Sequence, residues 1–138
     1  MKKVFLLCTH NSCRSQMAEG LVNHFLGSHF QAFSAGTEAT HVNPLAIRVM
    51  AEIGIDISAH RSKTMDEFDE ENFDYVITLC GDANEKCPLF FGGVQRMHMG
   101  FEDPSRQKGS DEEVLPEYRR VRDEIRKKLT EYLGGQES

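Results

Sequence analysis

At 138 residues, with 39% hydrophobic residues, nine Phe, three Tyr and no Trp, the chain has the size and apolar content of one ordinary domain and no room for two. That content excludes disordered, collagen-like and coiled-coil chains. Sixteen Lys and Arg against 22 Asp and Glu give a formal net charge of −6, and the one basic cluster, Arg119-Arg120-Val121-Arg122, is diluted at once by Asp123 and Glu124, so a nucleic-acid binder is excluded too.

The chain opens on Lys2-Lys3 and an apolar run, Val4 to Leu7, that is too short for a signal-peptide core. Leu7 before Cys8 is not the small residue that a lipoprotein cleavage site needs, and no stretch approaches the roughly 20 apolar residues of a membrane span. The protein reads as cytosolic with no membrane contact, and cysteines 8, 13, 80 and 87 are expected as thiols rather than as fixed staples.

Lys2 to Cys8 reads as a buried strand. From Arg14 the period changes to a helical stripe of Met17, Leu21 and Phe25, stopped at Gly27. Ala32 to Ala35 reads as a second strand. Asn43 has the character of an N-cap with Pro44 at the first helical position, and Ile47, Met50 and Ala51 face inward until Gly54. Thr64 and Glu67 form a candidate capping box for a short helix. Tyr75 to Cys80 is the clearest strand, Val94 to Met99 a fourth. Tyr118, Val121, Ile125, Leu129 and Tyr132 mark a last helix that starts near Pro116 and stops at Gly134-Gly135. This order predicts an α/β fold: a single three-layer domain over residues 1–134, with a four-stranded parallel sheet, helices on both faces, and a frayed tail at 135–138.

The loop Thr9-His10-Asn11-Ser12-Cys13 joins the first strand to the first helix and is bracketed by Cys8 and Arg14, with Ser15 next. Spacing alone says little. Placement says more, because a strand–loop–helix junction aims several backbone N–H groups at one point and so binds an oxyanion. A cysteine in that field has a lowered pKa, which would make Cys8 a thiolate nucleophile. Arg14 can clamp a tetrahedral oxyanion with two prongs where Lys could not, and Ser15 can donate to the sulfur.

Cys8 to Ser15, C-T-H-N-S-C-R-S, resembles the phosphate loop of the low-molecular-weight protein tyrosine phosphatase fold, and Glu102-Asp103-Pro104 resembles the Asp-Pro pair of its general acid. Within that fold the chain is most similar to the thioredoxin-coupled arsenate reductase family. The shared marks are S-C-R-S-Q-M-A-E-G (12–20), S-A-G (34–36), V-N-P (42–44), I-D-I-S (55–58) with His60, T-L-C-G-D-A (78–83) with Cys87-Pro88, G-F-E-D-P (100–104) and R-V-R-D-E-I (120–125).

The resemblance implies the following roles. Residues 9–14 (Thr9, His10, Asn11, Ser12, Cys13, Arg14) bind arsenate. Cys8 attacks it with Asp103 helping water to leave, Cys80 attacks Cys8 and releases arsenite, and Cys87 then attacks Cys80. Thioredoxin reduces the Cys80–Cys87 disulfide, so no bound cofactor or metal is needed; the oligomeric state is not given by the sequence, and a monomer is the default expectation. Cys80 and Cys87 separate this reading from its alternative, a phosphotyrosine or phosphomonoester phosphatase, which hydrolyses its adduct and needs one cysteine. A third reading is a non-catalytic oxyanion or arsenite binder using the Cys80/Cys87 pair. Zinc is disfavoured because the spacing of that pair is not a usual ligand spacing.

Departures from the family are informative. His10 stands where relatives have Gly, so a positive φ there would be costly. Ser105-Arg106-Gln107-Lys108 replace the aromatic residues that follow Asp-Pro in phosphatases, which favours a small inorganic substrate. Cys13 is expected to be structural, and Asn11 to take a left-handed conformation and tie the loop with its amide. Asn11, Glu19 and Ser34 match the potassium-binding positions of part of the family, but relatives that bind the ion carry Thr and Asp in place of Arg61 and Lys63. Lys63 is expected to bring an ammonium to where the ion would sit. Histidines 24, 29, 41, 60 and 98 form no legible pattern.

Overall fold

The computed structural model describes residues 1–68, 73–79 and 95–134. In chain order the elements are β1 (Lys2–Cys8), α1 (Arg14–Phe25), β2 (Phe30–Gly36), α2 (Pro44–Ala51), a 3₁₀ turn (Met65–Phe68), β3 (Tyr75–Thr78), β4 (Gln95–His98), a second 3₁₀ turn (Pro104–Arg106) and α3 (Asp111–Gly134). The four strands are parallel, in the order β2-β1-β3-β4. Cys80, Cys87 and the tail 135–138 lie outside the described residues.

Strand β1 is interior to the sheet and buried on both faces, which is why its sequence is a continuous apolar run rather than an alternation. Val4 and Leu6 point into the larger core with Met17 and Leu21 of α1, Val49 and Met50 of α2, and Leu115, Val121, Ile125 and Leu129 of α3. Phe5 and Leu7 point the other way, into a smaller core with Ala35, Phe73 and Val76 that Met65 and Phe68 of the first 3₁₀ turn help to cover. Phe5 and Phe73 stack there with ring centroids 4.3 Å apart. The sheet therefore carries three α-helices on one face and a 3₁₀ turn on the other among the described residues.

Local signals decide most element ends. Asn43 caps α2 as its sequence suggests, its Oδ1 accepting from the N–H groups of Leu45 (2.8 Å) and Ala46 (3.4 Å) ahead of Pro44 at the first position. The short helix after Thr64 forms, but Glu67 turns its carboxylate to Arg61, with Oε2 and Oε1 at 2.8 and 2.7 Å from the two guanidinium nitrogens, instead of closing a capping box. Helix α3 starts five residues before the expected Pro116, at Asp111. Its start is set by Ser110, whose Oγ donates to Glu113 Oε1 at 3.1 Å and accepts from the Glu113 N–H at 3.3 Å. Pro116 sits inside the helix, where it forgoes one bond to the Glu112 carbonyl while buried Val114 and Leu115 anchor that turn. The second strand is longer than Ala32–Ala35 because it pairs with β1 along its whole length, from Lys2 opposite Phe30 to Cys8 opposite Gly36.

Candidate active site

The chain leaves β1 for β2 on one side and returns to β3 on the other, so the carboxyl end of β1 is the switch point where open α/β sheets bind ligands. Cys8 is the last residue of that strand. The loop that follows has every carbonyl from residue 8 to residue 13 held from outside. Cys8 O accepts from Thr37 N (3.3 Å), Thr9 O from Glu38 N (2.9 Å), His10 O from Ser62 Oγ (2.8 Å), Asn11 O from Gln16 Nε2 (3.1 Å), Ser12 O from Asn43 N (2.9 Å) and Cys13 O from Met17 N (3.0 Å). A trans peptide that turns its C=O one way turns its N–H the other, so each pinned carbonyl leaves the amide of the next residue directed away from that carbonyl's partner. These amides join the first turn of α1, whose N-cap, Cys13, supplies no side-chain acceptor. Backbone amides held this way at a helix N-terminus are a nest that can take an anion.

Beneath it is a cavity of about 260 Å³ lined by Cys8, His10, Ser12, Cys13, Arg14, Asp103 and Ser105, with Thr40, His41 and Asn43 at its side. The Arg14 guanidinium donates from one terminal nitrogen to Phe101 O at 3.0 Å and holds the other 3.6 Å from Asp103 Oδ2. Asp103 caps the second 3₁₀ turn, with Oδ1 accepting from the N–H and Oγ of Ser105. Two cysteines share the cavity; burial, and then the Asp103 charge, push the Cys13 thiol up to about 12, so Cys13 stays protonated at neutral pH. Asn43 reaches from α2 to Tyr118 of α3, its Nδ2 donating to Tyr118 Oη at 3.0 Å, which ties the cavity wall to the long helix.

A second layer holds the loop in shape. Asn11 is in the left-handed region at φ 50° and is fully buried, its Nδ2 donating to Ser15 Oγ (2.8 Å) and Ser34 Oγ (3.0 Å). His10 keeps a negative φ, so its Cβ meets no left-handed penalty. Ser34 Oγ donates to Glu19 Oε1 at 2.9 Å. His60 Nδ1 lies 3.1 Å from Glu19 Oε2 and 3.0 Å from Gln16 Oε1; with two acceptors before it, that nitrogen carries the proton. Lys63 donates its backbone N–H to Asn11 Oδ1 at 2.9 Å and places Nζ 3.0 Å from Arg61 O and 3.8 Å from Glu19 Oε1. Burial pulls the Lys63 pKa down against the attraction of Glu19.

The residues at the family's potassium positions do not fit a free cation. Asn11 Oδ1 is committed to Lys63 N and Gln16 Nε2, and Glu19 to Ser34, His60 and the Lys63 ammonium. Activity is therefore expected to be the same in potassium and sodium salts at equal ionic strength. Stimulation particular to potassium, measured as kcat/KM, overturns this.

Gly36 closes the loop from below. A Cβ there would stand 2.6 Å from Thr9 O, 2.8 Å from Asn11 N and 2.8 Å from Glu38 O, all backbone atoms with nowhere to go. Gly36→Ala is expected to destabilise the protein by about 2–3 kcal/mol, read from a denaturation midpoint, and to lower activity with it.

Of the residues singled out in the sequence, Cys8, His10, Ser12, Cys13, Arg14 and Asp103 meet at one cavity. Thr9 contributes its carbonyl to the scaffold, while Asn11 and Ser15 are fully buried and bonded to each other behind the loop. Sequence reasoning missed the buried hydrogen-bonding roles of Gln16 and His60 and the part played by the Phe101 carbonyl. The first two stand in motifs whose chemistry is invisible without the fold, and a carbonyl has no sequence signal. Among the described residues no three or more His, Cys, Asp or Glu side chains converge as metal ligands, and no helix is long and apolar enough to cross a membrane.

The sequence profile of the low molecular weight phosphotyrosine protein phosphatase family matches residues 3–137. The chain is 49% identical over 131 residues to an arsenate reductase of Bacillus subtilis, covering 95% of this chain and 94% of that one. Its fold is similar to that of an arsenate reductase solved in the phosphate binding state, with a TM-score of 0.80 and 36% identity over 98% of both chains. It is also similar to a thioredoxin-dependent arsenate reductase of Corynebacterium glutamicum, with a TM-score of 0.65 and 30% identity over 94% of this chain and 62% of that one.

Proposed function

We propose that this chain, which belongs to the low molecular weight phosphotyrosine protein phosphatase family, uses that family's oxyanion loop for redox chemistry and reduces arsenate to arsenite. One observation carries the reading: an anion nest over a strand-end cysteine, in a chain 49% identical to an arsenate reductase. Cys80 and Cys87 add the thiols that a two-electron reduction requires and an ester hydrolysis does not.

Arsenate sits in the amides of residues 9–14 with Arg14 across two of its oxygens. The nest and the α1 dipole favour the thiolate of Cys8, aided by a hydrogen bond from Ser15, whose Oγ already accepts from Asn11. Cys8 attacks arsenic; an S–As bond forms, an As–O bond breaks, and Asp103 protonates the departing oxygen, which leaves as water. Cys80 then attacks the Cys8 sulfur. The S–S bond forms, the S–As electron pair stays on arsenic, and trivalent arsenite leaves. Cys87 displaces Cys8 from Cys80, and the dithiol of thioredoxin reduces the Cys80–Cys87 disulfide.

The test is coupled oxidation of thioredoxin. Arsenate is expected to drive it only when the protein is present, with arsenite as product. Release of alcohol from a phosphomonoester without arsenate-dependent thioredoxin oxidation would establish the phosphatase instead. Binding of either oxyanion with no turnover would leave a binding protein.

A further inference from the structure

Ser105 lines the same cavity as Cys8 and Arg14, and both of its donors end on one carboxylate oxygen. Its N–H lies 3.0 Å and its Oγ 2.6 Å from Asp103 Oδ1. The other oxygen, Oδ2, lies 3.6 Å from Arg14 and 4.0 Å from Arg106. The two oxygens of one carboxyl group are thus in different chemical settings.

We propose that Ser105 is a positioning residue for the proton donor: it fixes the Asp103 carboxyl so that Oδ2 alone faces the bound oxyanion and alone carries the proton given to the departing oxygen. The proposal rests on Asp103 being that donor. A carboxyl torsion is broad and two-fold, so an unheld group exchanges its oxygens. Two donors on Oδ1 block that exchange and leave no room there for a third hydrogen, so an added proton goes to Oδ2. In the step, the Oδ2–H bond breaks as the arsenate oxygen gains the proton and leaves as water, and Asp103 is reprotonated from solvent. The carboxylate so formed still has both donors on Oδ1, so the charge that appears on the donor is already solvated when it appears.

Among the described residues, the charged or titratable groups that face Asp103 or share its cavity include Cys8 at the end of β1, Arg14 from α1, Arg106 from its own turn, Cys13 from the loop and Tyr118 from α3. Burial raises the last two, which stay neutral. His10 and His41 also line the cavity, so the test must identify the limb that belongs to Asp103.

Single-turnover arsenate reduction by the reduced full-length protein is followed across pH for Ser105→Ala, Ser105→Thr and Asp103→Asn. Asp103→Asn is expected to remove the alkaline limb, which reports loss of the donor proton. Ser105→Ala should lower the plateau rate about fivefold to tenfold, leave KM within about twofold, and move that limb up by about one pH unit, because its carboxylate has lost one of two donors. Ser105→Thr, which keeps the hydroxyl, should restore both. A wild-type limb in Ser105→Ala overturns the proposal, as does an equal loss in Ala and Thr variants, which marks a purely structural turn. If Asp103→Asn itself keeps the limb, the donor assignment falls, and the role of Ser105 with it.

Discussion

Replacing Cys8 with serine is expected to abolish arsenate turnover, by on the order of 10⁴-fold or more, while the fold survives. On the proposed mechanism the nest at the carboxyl end of β1 acts on a sulfur anion, which a thiol can supply because it ionises within reach of neutral pH. A serine hydroxyl in the same field stays protonated, since its ordinary pKa lies far beyond what a helix terminus and one guanidinium can shift. Cys13 cannot substitute, because burial above all holds its thiol up at about 12. The swap is nearly isosteric at a residue 4% exposed, so the thermal midpoint should move by no more than a few degrees, as about 1 kcal/mol would move it. Arsenate loss in a single turnover, read beside a melting curve, checks both halves. Retained turnover in a folded variant would remove Cys8 as the nucleophile and every later step with it.

Arg14→Lys is expected to lower kcat/KM by about 10³-fold, although it keeps the positive charge. Arg14 is 8% exposed and its guanidinium does two things at once: one terminal nitrogen donates to Phe101 O at 3.0 Å, and the other faces Asp103 Oδ2 at 3.6 Å. That fork holds the segment bearing Asp103 against the loop bearing Cys8. An ammonium is a point donor that reaches one of these partners, leaves the other unmet, and cannot span two oxygens of a tetrahedral anion. The loss should fall more on kcat than on KM, because the fork matches charge that grows as the As–O bond breaks. A loss confined to KM would show that Arg14 merely gathers substrate.

The sequence carried the fold where local chemistry and tertiary demand agree. Val4 to Leu7 is apolar without alternation because both sheet faces are covered, and Asn43-Pro44 starts a helix with its own side chain. It carried less where a partner distant in sequence decides. Glu67 fits a capping box locally, yet Arg61 offers a two-pronged charged partner that outcompetes a backbone amide. Helix α3 begins at Ser110-x-x-Glu113, a legible box overshadowed by the proline at 116. The site shows the same division. Cys8, Arg14 and Asp103 are chemical types that announce themselves at known spacings. Lys63 was legible only as a charge reversal, and the meeting of its ammonium with Glu19 depends on residues 44 positions apart in sequence sharing one buried pocket.

The outward pinning of carbonyls 8 to 13 bears on how the protein tells its substrate from a close mimic. A frame tied at every peptide cannot resize itself around one tetrahedral oxyanion in preference to another, so phosphate, abundant in any cell, must enter as readily as arsenate. Discrimination then lies downstream of recognition. A phosphorus adduct on Cys8 offers an attacking thiol no low-lying trivalent state to fall into, and only water can clear it. On the proposed mechanism the arsenic adduct accepts the electron pair and departs. On that mechanism fidelity is set by the oxidation chemistry of the visitor, and the visible cost is occupancy: phosphate should act as a competitive inhibitor, slowing arsenate turnover without itself being reduced.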